Sequence, residues 1–173
     1  LYESAHSTGK VQTAIYIREG LQFSPCEYHV DKNDTDIYTC SATIKFNESF
    51  TLNAISVYLP HGPNEKNTEW LRNIQDQNGK WLIGGDFNAH SPFWEKHCKI
   101  VTSNRLVENI VDSALYLSHN RNITRIPDIC KHRSTAIDLS LVSPDLVPLA
   151  SWKTLEDTLG SDHLTIIVCC KVK

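Results

Sequence analysis

Along the chain, apolar and polar residues first alternate and then change period. Tyr38, Cys40, Ala42, Ile44 and Phe46 recur at every second position, the period of a strand with one buried face. Asn47-Glu48-Ser49 interrupts the alternation with turn-forming residues and predicts a hairpin into a second strand over residues 50–59. Upstream, the β-rich run 13–18 predicts a further strand. Past Pro60-His61-Gly62-Pro63 the period lengthens. Trp70, Leu71 and Ile74 stand at helical spacing, and Gly79 is placed to end that helix. Residues 81–85 then form a short apolar run typical of a buried strand. Asn104 is positioned to cap a second helix whose apolar stripe is Leu106, Val107, Ile110, Val111 and Leu115. Strands over 136–142 and 164–172 close the chain. The order β-β-β-α-β-α-β-β mixes hairpins with crossovers and predicts sheets with helices packed outside, an α/β or α+β architecture.

Composition narrows the class. A chain of 173 residues with 40% hydrophobic and 21% charged residues has the material for one core and too much apolar content for disorder. No apolar run approaches the ~20 residues of a membrane span, so no membrane association is expected. The start, Leu1-Tyr2-Glu3-Ser4-Ala5-His6, is polar and carries no initiator methionine; we expect a processed product or a piece of a longer chain. Six cysteines lack the spacing of a disulfide framework, and adjacent Cys169 and Cys170 point to opposite faces of a strand. A reduced intracellular chain is expected, with the sequons at Asn33, Asn47 and Asn122 unused. The net charge of −3 argues against a generally basic coat protein but allows a local basic site. One such stretch runs over 119–133, where Arg121, Arg125, Lys131 and Arg133 face the single acid Asp128. It suits a nucleic-acid backbone, or equally a solvated loop.

Candidate chemistry sits at strand ends. In Gly84-Gly85-Asp86-Phe87-Asn88-Ala89-His90, Asp86 and Asn88 project to one side if the strand continues, and the glycines permit close approach of a ligand or another backbone. A carboxylate beside an amide suits phosphate chemistry: Asp handles a water or a metal, and the Asn NH₂ donates to a phosphate oxygen without adding charge. Without such a ligand the same residues make an ordinary turn. In Ser161-Asp162-His163 the two ionisable neighbours face opposite ways in extended chain, so His163 needs a partner from elsewhere. Asp138, alone in the apolar strand Ile137-Asp138-Leu139-Ser140-Leu141, needs one too. Tyr58 ends a strand and on its own reads as a core or rim tyrosine. There is no phosphate-binding P-loop, no Gly-x-Ser-x-Gly elbow and no Cys-x-x-Cys pair. Cys130-Lys131-His132 with His97-Cys98 lacks zinc-site spacing.

In order, Tyr58 followed by Pro60, Gly84-Gly85-Asp86-Phe87-Asn88, Ile137-Asp138-Leu139 and Ser161-Asp162-His163 resemble the endonuclease/exonuclease/phosphatase family. The chain is most similar to the endonuclease domains of non-LTR, LINE-like retrotransposons. This rests on Asn88-Ala89-His90-Ser91-Pro92-Phe93-Trp94, Thr124-Arg125, Ser134 and Trp152, and the match runs from about Thr13 onward. The resemblance implies a four-layer α/β/β/α sandwich of two mostly antiparallel sheets with outer helices, formed by a single domain over 1–173. It implies Mg²⁺- or Mn²⁺-dependent phosphodiester hydrolysis, the DNA nicking of a nuclear retrotransposon endonuclease. A monomer whose parent chain continues into a reverse transcriptase is expected.

Carried over, Asp86 would orient or activate water or serve the leaving group, and Asn88 would position the phosphate. Asp162 would assist the metal. His163, oriented by Asp138, would stabilise charge or act as base, and Tyr58 would contact the scissile phosphate. Arg121 and Arg125 would bind substrate. One departure stands out. The family carries, ahead of the matched part, a strand ending in Asn and then a metal-binding Glu, and neither Glu3 nor Glu19 lies in that context. The chain is therefore expected to be an N-terminally truncated copy missing its first strand and principal metal carboxylate. The alternatives are a catalytically inactive nucleic-acid-binding remnant, or a phosphatase of the same fold.

Overall fold

A computed structural model describes residues 2–5, 11–26, 36–74, 79–99, 101–127 and 133–171. The strands are β1 (Tyr2–Ala5), β2 (Val11–Ile15), β3 (Gln22–Pro25), β4 (Tyr38–Asn47), β5 (Phe50–Tyr58), β6 (Lys80–Asp86), β7 (Tyr116–Leu117), β8 (Asp138–Val142), β9 (Ala150–Thr154) and β10 (Ile166–Cys170). The helices are α1 (Glu65–Thr68), which runs on as a 3₁₀ turn over Glu69–Ile74, and α2 (Asn104–Asp112). Six strands form one sheet in the order β3-β4-β5-β6-β8-β7, while β1-β2 and β9-β10 form two small antiparallel sheets. The expected mixed α/β sandwich is present.

The large sheet follows from its side-chain alternation. Ile55, Val57, Trp81, Ile83, Leu139 and Leu141 share the face that packs on Leu71, Ile74, Leu106 and Ile110 of the helical layer. The opposite face is covered by the small sheets. The β1-β2 hairpin lies against β4 and β5, and Trp152 of β9 donates its indole N–H to the Ser140 hydroxyl of β8 at 3.3 Å. A cavity of about 400 Å³ remains in this inter-sheet space, lined by Ile15, Ser56, Gly84, Ser140, Ile166 and Val168 among others. The β5–β6 pair is the parallel one in the sheet. Its crossover carries α1, capped by a reciprocal pair in which Asn64 and Asn67 each accept the other's backbone N–H, at 2.9 and 2.7 Å.

Several expectations are corrected. The first predicted strand is shifted to Val11–Ile15, because Thr13 is buried while Tyr16 is 82% exposed. The N-cap of α2 is Ser103, and Asn104 is its first helical residue. The Ser103 hydroxyl makes no cap bond because it donates to His90 O at 2.7 Å. Val111 is 71% exposed and lies off the apolar stripe. Phe46, at the hairpin end, is exposed and packs edge-on against Phe50. Cys169 is exposed and Cys170 half-buried, as opposite faces of one strand require. No helix among the described residues is long and apolar enough to cross a membrane. The Asn33 sequon and Cys130-Lys131-His132 lie outside the described residues.

Candidate active site

Three neighbouring strands end on the same rung. Tyr58 of β5 pairs with Asp86 of β6, and Asp86 pairs with Asp138 of β8. Paired residues share a face of the sheet, so the two carboxylates and the phenol are set side by side by register alone. Backbone bonds continue the zipper past the strand ends. Leu59 N–H donates to Asp86 O at 2.9 Å, and Phe87 N–H donates to Ile137 O at 3.1 Å. Tyr58 is half-buried and stacks on Tyr38 with centroids 5.9 Å apart.

Of the two paths the sequence left open at Asn88, a continued strand or a turn, the chain takes the turn. The strand stops at Asp86, and Asn88 takes a left-handed φ of 45°, a conformation Asn tolerates better than most residues. The turn folds it back on Asp86. Its N–H donates to Asp86 Oδ1 at 2.9 Å, and its amide Nδ2 donates to Leu59 O at 2.9 Å, with Asp86 Oδ2 3.4 Å away.

His163 arrives from the loop before β10. Its Nδ1 lies 3.0 and 2.9 Å from the two Asp138 oxygens, so an ionised Asp138 fixes the hydrogen on Nδ1. Nε2 then faces Asp86 Oδ2 at 4.0 Å and Asp162 Oδ1 at 3.9 Å. Both distances exceed a direct hydrogen bond, and one oxygen atom lying to the side could hydrogen-bond both groups at once. Asp162 is held from its other side, where Arg125 Nε donates to Oδ2 at 2.8 Å.

The segment around Thr124 clips this loop to the sheet. Leu164 N–H donates to Thr124 O and Ile126 N–H to Asp162 O, both at 2.7 Å. Thr124 is fully buried, and its Oγ1 accepts the N–H groups of Ile137 and Asp138 at 3.1 Å each. The hydroxyl also hydrogen-bonds the Asp138 carboxylate. Thr124 is thus a structural support that its residue type alone does not reveal; its place beside Arg125 in the motif pattern is the signal that marks it. Arg121 stays apart: it is exposed at φ 64°, and its N–H donates to His119 Nδ1 at 2.7 Å.

Burial sets the electrostatics. It pushes Asp86 up to about 6, and the charge of Asp138 adds to the rise, while the Asn88 N–H, His163 and Arg125 oppose it. Burial raises Asp138 as well, opposed by Thr124, His163 and Arg125. The Arg125 hydrogen bond holds Asp162 below the usual carboxylate range. Ligand atoms of Asp86, Asp138 and His163 all lie within 4.8 Å of one another. Two carboxylates on one rung repel each other, and oxygen donors of this kind suit a hard divalent cation that offsets their charge. The cluster could therefore hold a divalent cation.

A mixed α/β sandwich with this acidic, histidine-bearing end of the sheet is the fold of the endonuclease/exonuclease/phosphatase class. A family model described as endonuclease-reverse transcriptase matches residues 52–167, and the chain belongs to that family. Among solved structures, the chain is similar to the endonuclease domain of TRAS1, a telomere-specific non-LTR retrotransposon. That match has a TM-score of 0.80 at 17% identity and covers 100% of this chain and 80% of that one. It is also similar to an endonuclease/exonuclease/phosphatase from Beutenbergia cavernae, with a TM-score of 0.56 at 13% identity, covering 98% of this chain and 53% of that one. No curated protein sequence matches significantly.

Proposed function

We infer that the chain is a divalent-metal-dependent DNA endonuclease of a retrotransposon, nicking a phosphodiester by attack of water. The observation that carries this is the row Tyr58–Asp86–Asp138 with His163 held 2.9 Å from Asp138. Asp86 and Asp138 would hold a Mg²⁺ or Mn²⁺ ion, with Asp162 at the edge of the same space. When bound, the ion supplies Lewis-acid neutralisation of charge on the phosphate.

The chain's own groups do the rest. Asp138 holds hydrogen on Nδ1 of His163, which leaves Nε2 to accept a proton from the attacking water. Asp86, 4.0 Å across from Nε2, orients that water. The second amide hydrogen of Asn88, engaged with Asp86 only at 3.4 Å, turns to a phosphate oxygen. The Tyr58 hydroxyl and the Arg125 guanidinium complete the cradle and stabilise negative charge in the transition state. The family description pairs the endonuclease with a reverse transcriptase, and nicked DNA supplies the 3′ end such an enzyme extends.

The test is conversion of supercoiled plasmid to open circle with Mg²⁺ or Mn²⁺. Asp86→Ala and His163→Ala should each reduce the rate by at least about a hundredfold, and a chelator should abolish it. A folded wild-type chain that leaves plasmid intact with either ion overturns the proposal. Hydrolysis of p-nitrophenyl phosphate with plasmid untouched would move the substrate class to phosphomonoesters.

A further inference from the structure

The loop that follows the catalytic Asn88 has its own construction. Trp94 is buried and donates its indole N–H to Ala89 O at 3.0 Å. The base of the loop is tied where His90 O accepts from Thr102 N–H at 3.1 Å and from the Ser103 hydroxyl at 2.7 Å. Glu95 is only 6% exposed, and a buried carboxylate needs compensating charge or donors. It has both: His90 Nδ1 lies 2.8 Å from Oε2, and Arg133 lies 3.8 Å from Oε1. The one acid of residues 90–99 is thereby turned inward and consumed.

What the loop presents outward is different. Lys96 and Lys99 are exposed with no ion-pair partner among the described residues, and Phe93 is 62% exposed. An all-basic outer face with an aromatic tip, on a chain of net charge −3, is a local footprint for a polyanion bearing flat apolar groups. The Cα of His90 lies at most about 7.6 Å from that of Asn88 along the chain. The loop therefore begins within about two nucleotides of a phosphate held at Asn88, at ~3.4 Å per base along a strand.

We propose that this tied loop is a second DNA grip. Lys96 and Lys99 contact backbone phosphates flanking the one cut, and Phe93 lies against a base or sugar. The tied base pre-organises the grip, so little ordering is lost on binding. The inference rests on the DNA substrate of the proposed function and adds where the flanking strand is held.

The test is fluorescence anisotropy of the full chain with a labelled duplex oligonucleotide, in chelator and across a salt series. Nicking is measured in parallel. The double substitution Lys96→Gln with Lys99→Gln should flatten the slope of log affinity against log salt by about 1.8, two phosphates at ~0.9 each. Phe93→Ala should weaken binding about tenfold with the slope unchanged. All three positions are exposed, so thermal melting of the variants should match wild type. Wild-type slope and affinity in these variants of a nicking-competent chain would overturn the loop and leave the endonuclease standing. Loop-dependent binding by a chain that nicks nothing would do the reverse. Absence of any DNA binding by the wild-type chain would overturn the grip.

Discussion

Gly84 and Gly85 stand next to each other in β6, yet replacing each with alanine should have opposite consequences. Gly85 has a φ of 152°, outside the range L-residues favour. A Cβ there would overlap the Val57 carbonyl oxygen and lie 2.8 and 2.9 Å from that residue's carbonyl carbon and nitrogen. Val57 is the parallel-strand partner of Gly85, so what it meets is backbone that no rotamer can move aside. Backbone strain of ~1–3 kcal/mol and a comparable ~1–3 kcal/mol of overpacking give about 2–6 kcal/mol. That is a large share of a typical ~5–15 kcal/mol stability. At ~2–4 °C per kcal/mol for a chain of this size, melting should fall by at least about 5 °C. At Gly84 a Cβ meets only Leu139 O and Ser140 Oγ, both at 3.9 Å, and it points into the inter-sheet cavity. Gly84→Ala should be neutral or stabilise by about 0.5 kcal/mol. Urea titration and thermal melting of both variants make the comparison. Nicking assays should show Gly85→Ala also losing activity, because forcing β6 from β5 separates Asp86 from Tyr58. Equal stability of the two variants, or a fully active Gly85→Ala, would refute the close β5–β6 approach on which this rests.

Asp86→Asn should abolish nicking and yet stabilise the fold at neutral pH. Raised from 3.8 to about 6, Asp86 keeps a proton in the folded state that the unfolded state has lost between pH 4 and 6. Its contribution to stability therefore falls as pH rises through that window. The variant should gain up to about 3 kcal/mol over wild type above pH 6 and little near pH 4, measured by urea unfolding at both. Thr124→Val would strip two buried N–H groups and the Asp138 carboxylate of their partner. It should cost about 2–4 kcal/mol together with most of the activity, whereas Thr124→Ser should keep both.

What was legible in the chain were the parts that carry their own pattern. The β4–β5 hairpin announces itself by alternation on both sides of Asn47-Glu48-Ser49, and the need of a lone carboxylate in an apolar strand pointed correctly from Asp138 to His163. Strands β1, β3, β7 and β9 were not anticipated. Gln22–Pro25 is exposed at every position, Tyr116–Leu117 is two residues long, and Ala150–Thr154 alternates only between half-buried and exposed. Such segments become strands because a neighbour offers a ladder, which local sequence does not record. The path at Asn88 was left open for a related reason. Spacing allowed either a continued strand face or a turn; the strand's last ladder partner is at Asp86, and past that rung hydrogen bonds to Asp86 and Leu59 select the turn. The role of Glu95 was hidden because its two partners, His90 and Arg133, lie on opposite sides of it in sequence, Arg133 by 38 positions.

Because Tyr58, Asp86 and Asp138 occupy one rung of three strands, the site behaves as a lock whose pins align only at one setting. Sliding β6 by two residues against its neighbours would keep every side chain on its proper face, yet move Asp86 by about 7 Å at ~3.4 Å per residue. Face alternation alone does not forbid such a slip; the Val57 backbone, which admits only a glycine opposite it, does. The chemistry would vanish with the slip. Fraying of β3 or of the β1-β2 hairpin, by contrast, leaves the pins aligned. Activity should therefore survive local loosening at the margins and disappear in one step when the central three strands part, so that turnover reports the setting of the sheet's middle rather than the integrity of the whole.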